Sequence, residues 1–183
     1  MRKLIVSALG ISLLWACSQG EARYAEEIDQ VNSMLAINDS LQKSFDQVDS
    51  IRILKDFPKV DSLYKILSGP MADQQDKRYW TETMANIDVV HHPYMKYSGD
   101  YKKMRRGLAY SKSQLQSLRN SLEDQKLDTT QVSDYIQAEE KALNDLQVLI
   151  SKRIVPVLEA KAIWDTAEAR YLDLVSKSDS LAQ

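Results

Sequence analysis

The chain has 183 residues, with 24 Lys and Arg against 26 Asp and Glu and a formal net charge of −2. This balance excludes the strongly basic surface that nucleic-acid modules carry. Only 5 Gly and 4 Pro are present, a composition that favours helices over turn-rich sheets and suits one domain.

The chain opens on Arg2 and Lys3, continues with an uncharged apolar run from Leu4 to Leu14, and reaches Leu14-Trp15-Ala16-Cys17, which contains the only cysteine. A positive tip, a short apolar stretch and a small residue before a cut are the marks of an export signal. The run is too short to cross a hydrocarbon core, which needs about 20 helical residues. Leu14, Ala16 and Cys17 resemble the lipobox of bacterial lipoproteins, with the bulky Trp15 standing where the family usually has a small residue. The resemblance covers only the signal and the residue after the cut. It implies cleavage between Ala16 and Cys17, acylation of Cys17 and attachment to a membrane through covalent lipid, the only cofactor-like group expected. Ser18 follows the cysteine where an Asp would resemble an inner-membrane retention signal. The resemblance therefore implies a bacterial envelope location, with the outer membrane favoured on either face. Loss of residues 1–16 deletes Arg2 and Lys3 and no acid, which leaves 22 basic against 26 acidic residues. The expected organisation is a signal at 1–16, a polar lipidated tether at 17–25 and a single helical-bundle domain at 26–183.

Within that domain, Ile28, Val31, Leu35, Leu41, Phe45, Val48, Ile51 and Leu54 recur near helical spacing and predict a first long helix. Pro58 is expected to stop it, because proline lacks the amide donor and disfavours helical geometry at Phe57. Val60, Leu63, Tyr64 and Leu67 predict a short helix ending at Ser68-Gly69-Pro70. A third segment at 71–91 presents Tyr79, Trp80, Met84, Ile87 and Val90 or His91, and Pro93 with Ser98-Gly99-Asp100 is expected to break it. In the fourth, Tyr101, Met104, Leu108, Ser111, Leu115, Leu118 and Leu122 alternate steps of three and four, the spacing of helices packed at a shallow angle. Gly107 within it costs about 1 kcal/mol relative to alanine.

Asp128-Thr129-Thr130 supplies cap candidates for the last helix. Its stripe runs Val132, Ile136, Glu139, Leu143, Leu146, Ile150, Arg153, Val157, Ala160, Trp164, Ala167, Tyr171 and Leu174, keeping phase across Pro156. One long helix kinked near Pro156 is expected. The fold class is all-α: an antiparallel bundle with coiled-coil-like heptad packing. Should the last helix overhang its neighbours, Trp164, Tyr171 and Leu174 would form an apolar partner surface.

The only two histidines adjoin in Asp88-Val89-Val90-His91-His92-Pro93-Tyr94-Met95. On a helix Asp88 and His91 share a face and Met95 follows one turn later, so a metal- or haem-binding module on His91, His92 and Met95 is the alternative function. The plainer expectation is a histidine pair near a helix end with no metal role, because no further donor element completes a set. No catalytic residues are expected: the chain has no Gly-x-Ser-x-Gly elbow and no phosphate-binding glycine loop. Glu26-Glu27 and Glu139-Glu140 read as surface charge, although Glu139 and Arg153 fall on the seam and would need partners if buried. Lys96, Lys102, Lys103, Arg105 and Arg106 are expected mainly to pair with acids on neighbouring helices, and otherwise to meet lipid headgroups or anionic glycans. Taken together, the leading expectation is a non-enzymatic, lipid-anchored envelope protein that binds an envelope protein or glycan or acts as a spacer, with no nucleic-acid partner.

Overall fold

The computed structural model describes residues 23–69 and 77–181, and side chains at 23–69 and 81–173. All the regular structure among the described residues is helical: α1 (Ala25–Asp46), α2 (Ser50–Leu67), α3 (Lys77–Glu123) and α4 (Thr129–Leu181) pack as a bundle. The signal, the cleavage pair Ala16 and Cys17, and most of the tether lie outside the described residues.

The first break falls at residues 47–49, not at Pro58. After Val31, Met34, Asn38, Leu41 and Phe45 the buried stripe reaches Val48 and then steps by five to Ile53, a slip that one helix cannot absorb on one face. Asp49 caps the new helix by accepting from the Arg52 amide at 3.0 Å. Ile51, assigned by spacing to the first stripe, is 83% exposed. Pro58 lies inside α2, on its exposed side. The end of α2 follows expectation, with the Ser68 and Gly69 amides closing on the Tyr64 and Ile66 carbonyls.

Pro93 and Gly99 likewise fail to break the chain, and the two segments expected on either side form the single helix α3. The buried stripe explains this. Ile87, Val90, Tyr94, Tyr97, Met104, Leu108, Ser111, Leu115, Leu118 and Leu122 hold one phase throughout, with half-buried Tyr101 filling its place. The amide that Pro93 lacks would have bonded the carbonyl of Val89, a residue that is 52% exposed and lies off the core stripe. Pro156 likewise lies within the continuous α4, as the unbroken phase predicts, and the residue four before it, Lys152, is exposed.

The turn between α3 and α4 closes with the Lys126 amide on the Ser121 carbonyl at 3.0 Å and the Gln125 amide on the Leu122 carbonyl at 3.1 Å. This is a Schellman closure, and it places Gln125 at φ 53, the left-handed region. Replacing Gln125 with Gly should stabilise the fold by about 0.5–1 kcal/mol, the steric relief minus the backbone entropy that glycine adds. Thermal denaturation followed by circular dichroism measures it, and an unchanged midpoint would mean the residue bears no strain. Asp128 then caps α4 by accepting from the Thr130 amide at 3.0 Å. Its bonds to Thr130 and Thr129 hold the carboxyl below its usual range.

The described residues fall into two compact units, one at 23–40 and 109–145, the other at 41–108 and 146–181. In the first, Val31 and Met34 of α1 join Leu115, Leu118 and Leu122 of α3 and Val132, Ile136 and Leu143 of α4 in the buried set. Lys112 bonds Asp39 at 2.9 Å across it, and the Tyr24 hydroxyl donates to the Leu127 carbonyl at 3.0 Å. In the second unit α3 and α4 run antiparallel: an added Cβ at Gly107 would lie 2.9 Å from Leu146, and Asp100 accepts from Arg153 at 2.7 Å. Gly107 thus gives up helix propensity to let Leu146 sit against α3. There α2 runs parallel to α4, through Arg52–Asp165 at 2.9 Å and Lys59–Glu168 at 3.4 Å. It runs antiparallel to α3, through Ser50–Tyr97 at 2.7 Å and Asp61–His91 at 3.0 Å.

Candidate functional site

Because α3 does not end at Pro93, the histidine pair sits in mid-helix with Asp88 one turn before it. The helix-end reading of these residues is therefore corrected. One ligand atom from each of Asp88, His91 and His92 lies within 4.8 Å of the other two. The three differ in environment. His91 falls on the core stripe and its side chain is 8% exposed, whereas His92 and Asp88 lie near the surface at 47% and 43%. His92 Nδ1 meets Asp88 Oδ1 at 2.6 Å, one turn apart on the same side of α3. Met95, expected as a soft ligand, is 39% exposed one turn further on.

His91 is held from α2. Its ring stacks on Tyr64 with centroids 4.1 Å apart and planes at 5°, and Phe57 stacks at 6.3 Å. Its Nε2 bonds Asp61 Oδ1 at 3.0 Å. Lys65, and after it His91, keep the Asp61 carboxyl below its ordinary value, so it is an anion and can only accept. His91 therefore donates through Nε2, which leaves Nδ1 as the ring nitrogen that Asp61 does not engage. That Nδ1 is buried and has no hydrogen-bond partner. Sequence reasoning missed Asp61, which lies 30 residues away on another helix and carries no local mark of pairing with His91.

The apolar surface expected at the end of α4 is not a surface. Trp164 is 0% and Tyr171 4% exposed, and the two rings stack with centroids 6.3 Å apart inside the core of their unit. The stripe of α4 is covered there by α2 and α3 rather than overhanging them. The side chain of Leu174 lies outside the described residues.

The basic run of α3 also departs from expectation. Lys96, Lys102, Lys103, Arg105 and Arg106 are all exposed, and among the described residues none of them has an ion-pair partner. The acid nearest in sequence, Asp100, is taken by Arg153. This part of α3 therefore presents uncompensated positive charge to solvent.

The two charged seam positions resolve differently. Arg153 has its partner in Asp100, while Glu139 lines a cavity of about 160 Å³ with Gln114, Ser117, Leu118, Ser121, Leu127 and Tyr135. Burial raises the Glu139 carboxyl above its ordinary value. For an acid, a raised folded-state pKa means that the ionised form weakens the fold at neutral pH, and that this weakening disappears as pH falls below the unfolded value, about 4.3. Glu139→Gln should therefore raise the denaturation midpoint slightly at pH 7, with the gain vanishing near pH 4. A gain that persists at acid pH would show that ionisation is not its cause.

Comparison with protein-family models, curated proteins and solved structures finds no match to this chain.

Proposed function

We propose that the chain is a lipid-anchored helical-bundle protein of a bacterial envelope that works by binding another macromolecule or by spacing, not by catalysis. The observation that carries this reading is the order of residues 2–17: two cations, an apolar run too short to span a bilayer, then Leu14-Trp15-Ala16-Cys17. None of the described helices is long and apolar enough to cross a membrane, so stable attachment falls to acyl chains. Each buried methylene contributes about 0.8 kcal/mol, and two or more chains are needed for durable anchoring. Membrane residence in the outer membrane agrees with Ser18 after the cysteine.

The uncompensated cations of α3 favour an anionic partner, such as an envelope glycan or an acidic protein surface, over an apolar one. Each cation near an anionic lipid surface is worth about 1 kcal/mol, which supports contact without replacing the anchor.

Cys17→Ser tests the reading. The wild-type chain, expressed in a bacterium and fed a labelled fatty acid, should take up label and sediment with membranes. The variant should do neither. Equal labelling or equal sedimentation of the two would refute lipid attachment at this residue.

A further inference from the structure

Independently of the anchor, we propose that Asp88, His91 and His92 form a binding site for one late first-row divalent cation, copper(II) or zinc, with Asp61 orienting His91 from behind. Three observations converge on it. The donors stand three and four residues apart on one helix, and their ligand atoms lie within 4.8 Å of one another. The His91 Nδ1, the ring nitrogen that Asp61 does not engage, is buried and unpartnered. The opposite ring nitrogen donates to a carboxylate at 3.0 Å, the arrangement that fixes tautomer and ring direction in metal-bound histidines and makes the imidazole more basic.

The ring of His91 is clamped by Tyr64 at 4.1 Å, so it is the fixed point of the site. Two ligands about 2.0–2.1 Å from a tetrahedral ion stand about 3.3 Å apart, and rotation of the half-exposed Asp88 and His92 side chains covers the difference. His92 Nδ1 and Asp88 Oδ1 already meet at 2.6 Å. The cation separates this pair, His92 binding through Nδ1 with its ring proton on Nε2, and water completes the coordination shell. Two imidazole nitrogens and one carboxylate oxygen are borderline donors. They select copper(II) and zinc over magnesium and calcium, with copper(II) bound most tightly.

The test uses the full chain without an affinity tag, in detergent and carrying Cys17→Ser, so that no thiol contributes and the result does not depend on the anchor. Calorimetric titration with zinc, and copper(II) titration followed by visible absorption, should each show one saturable equivalent, with magnesium silent. Asp88→Asn combined with His92→Gln changes two surface side chains, leaves the dichroism spectrum unchanged and should lower affinity at least tenfold. Asp61→Asn touches no ion and should still weaken binding by about 10–100-fold. Absence of saturable binding, or binding indifferent to the Asp88 and His92 changes, would overturn the site. Indifference to Asp61→Asn would overturn the role given to Asp61.

Discussion

Trp164→Ala is expected to lower the free energy of unfolding by about 3–5 kcal/mol, the range for removing a large aromatic side chain from a packed core. The residue has 0% exposure, stacks on Tyr171 at 6.3 Å and lies among Val60, Leu63, Tyr94 and Val157 in one buried cluster. Truncation would open a cavity where α2, α3 and α4 meet within their unit. Trp164→Phe should cost much less. It keeps most of the apolar area, and it removes the indole Nε1–H, which is buried without an acceptor. Urea denaturation followed by circular dichroism separates the two variants. The comparison also decides between core and partner surface, since an exposed tryptophan could be cut to alanine with a loss under about 0.5 kcal/mol. A small effect for Trp164→Ala, accompanied by loss of partner capture, would restore the surface reading.

That Trp164 belongs to the core was already written in its register. It stands in phase with Val157, Ala160 and Tyr171 on a stripe that begins at Val132, and every apolar member of that stripe with a described side chain is buried or half-buried. The same continuity of phase that runs α4 through Pro156 runs α3 through Pro93. Ile87, Val90, Tyr94 and Tyr97 keep their steps of three and four across the proline. Continuity of the stripe outweighs the punctuation of Pro93 and Ser98-Gly99. A proline in a helix removes one hydrogen bond, whereas losing the register would expose a whole apolar face.

The real break at residues 47–49 shows the converse. It contains no proline or glycine, and its marks are a step of five between Val48 and Ile53 and an aspartate placed to cap. Of the histidine site, the donors on α3 were legible, because helical spacing alone brings Asp88, His91 and His92 together. What turns them from a surface pair into a site is tertiary. Asp61 and Tyr64 reach His91 only because α2 lies antiparallel to α3, and no property of either segment by itself announces that pairing.

Pro58→Ala is the substitution that tests the break most directly, and it should stabilise the protein by about 2 kcal/mol. Pro58 is midway along the 18 residues of α2 and exposed. Proline at an exposed interior helical position is about 3 kcal/mol less favourable than alanine, since it cannot donate to the carbonyl four residues earlier, here that of Leu54, and its ring crowds the preceding turn. Part of that gain is offset, because proline also stiffens the unfolded chain, by roughly 0.4–1 kcal/mol. The expected result is a higher urea midpoint at an unchanged denaturant slope, as for a change that leaves the buried surface intact. If Pro58 instead ended a first helix and opened a second, alanine there would remove a useful stop and leave the midpoint unchanged or lower. The direction of the shift alone distinguishes a helix that tolerates its proline from a chain that turns at it.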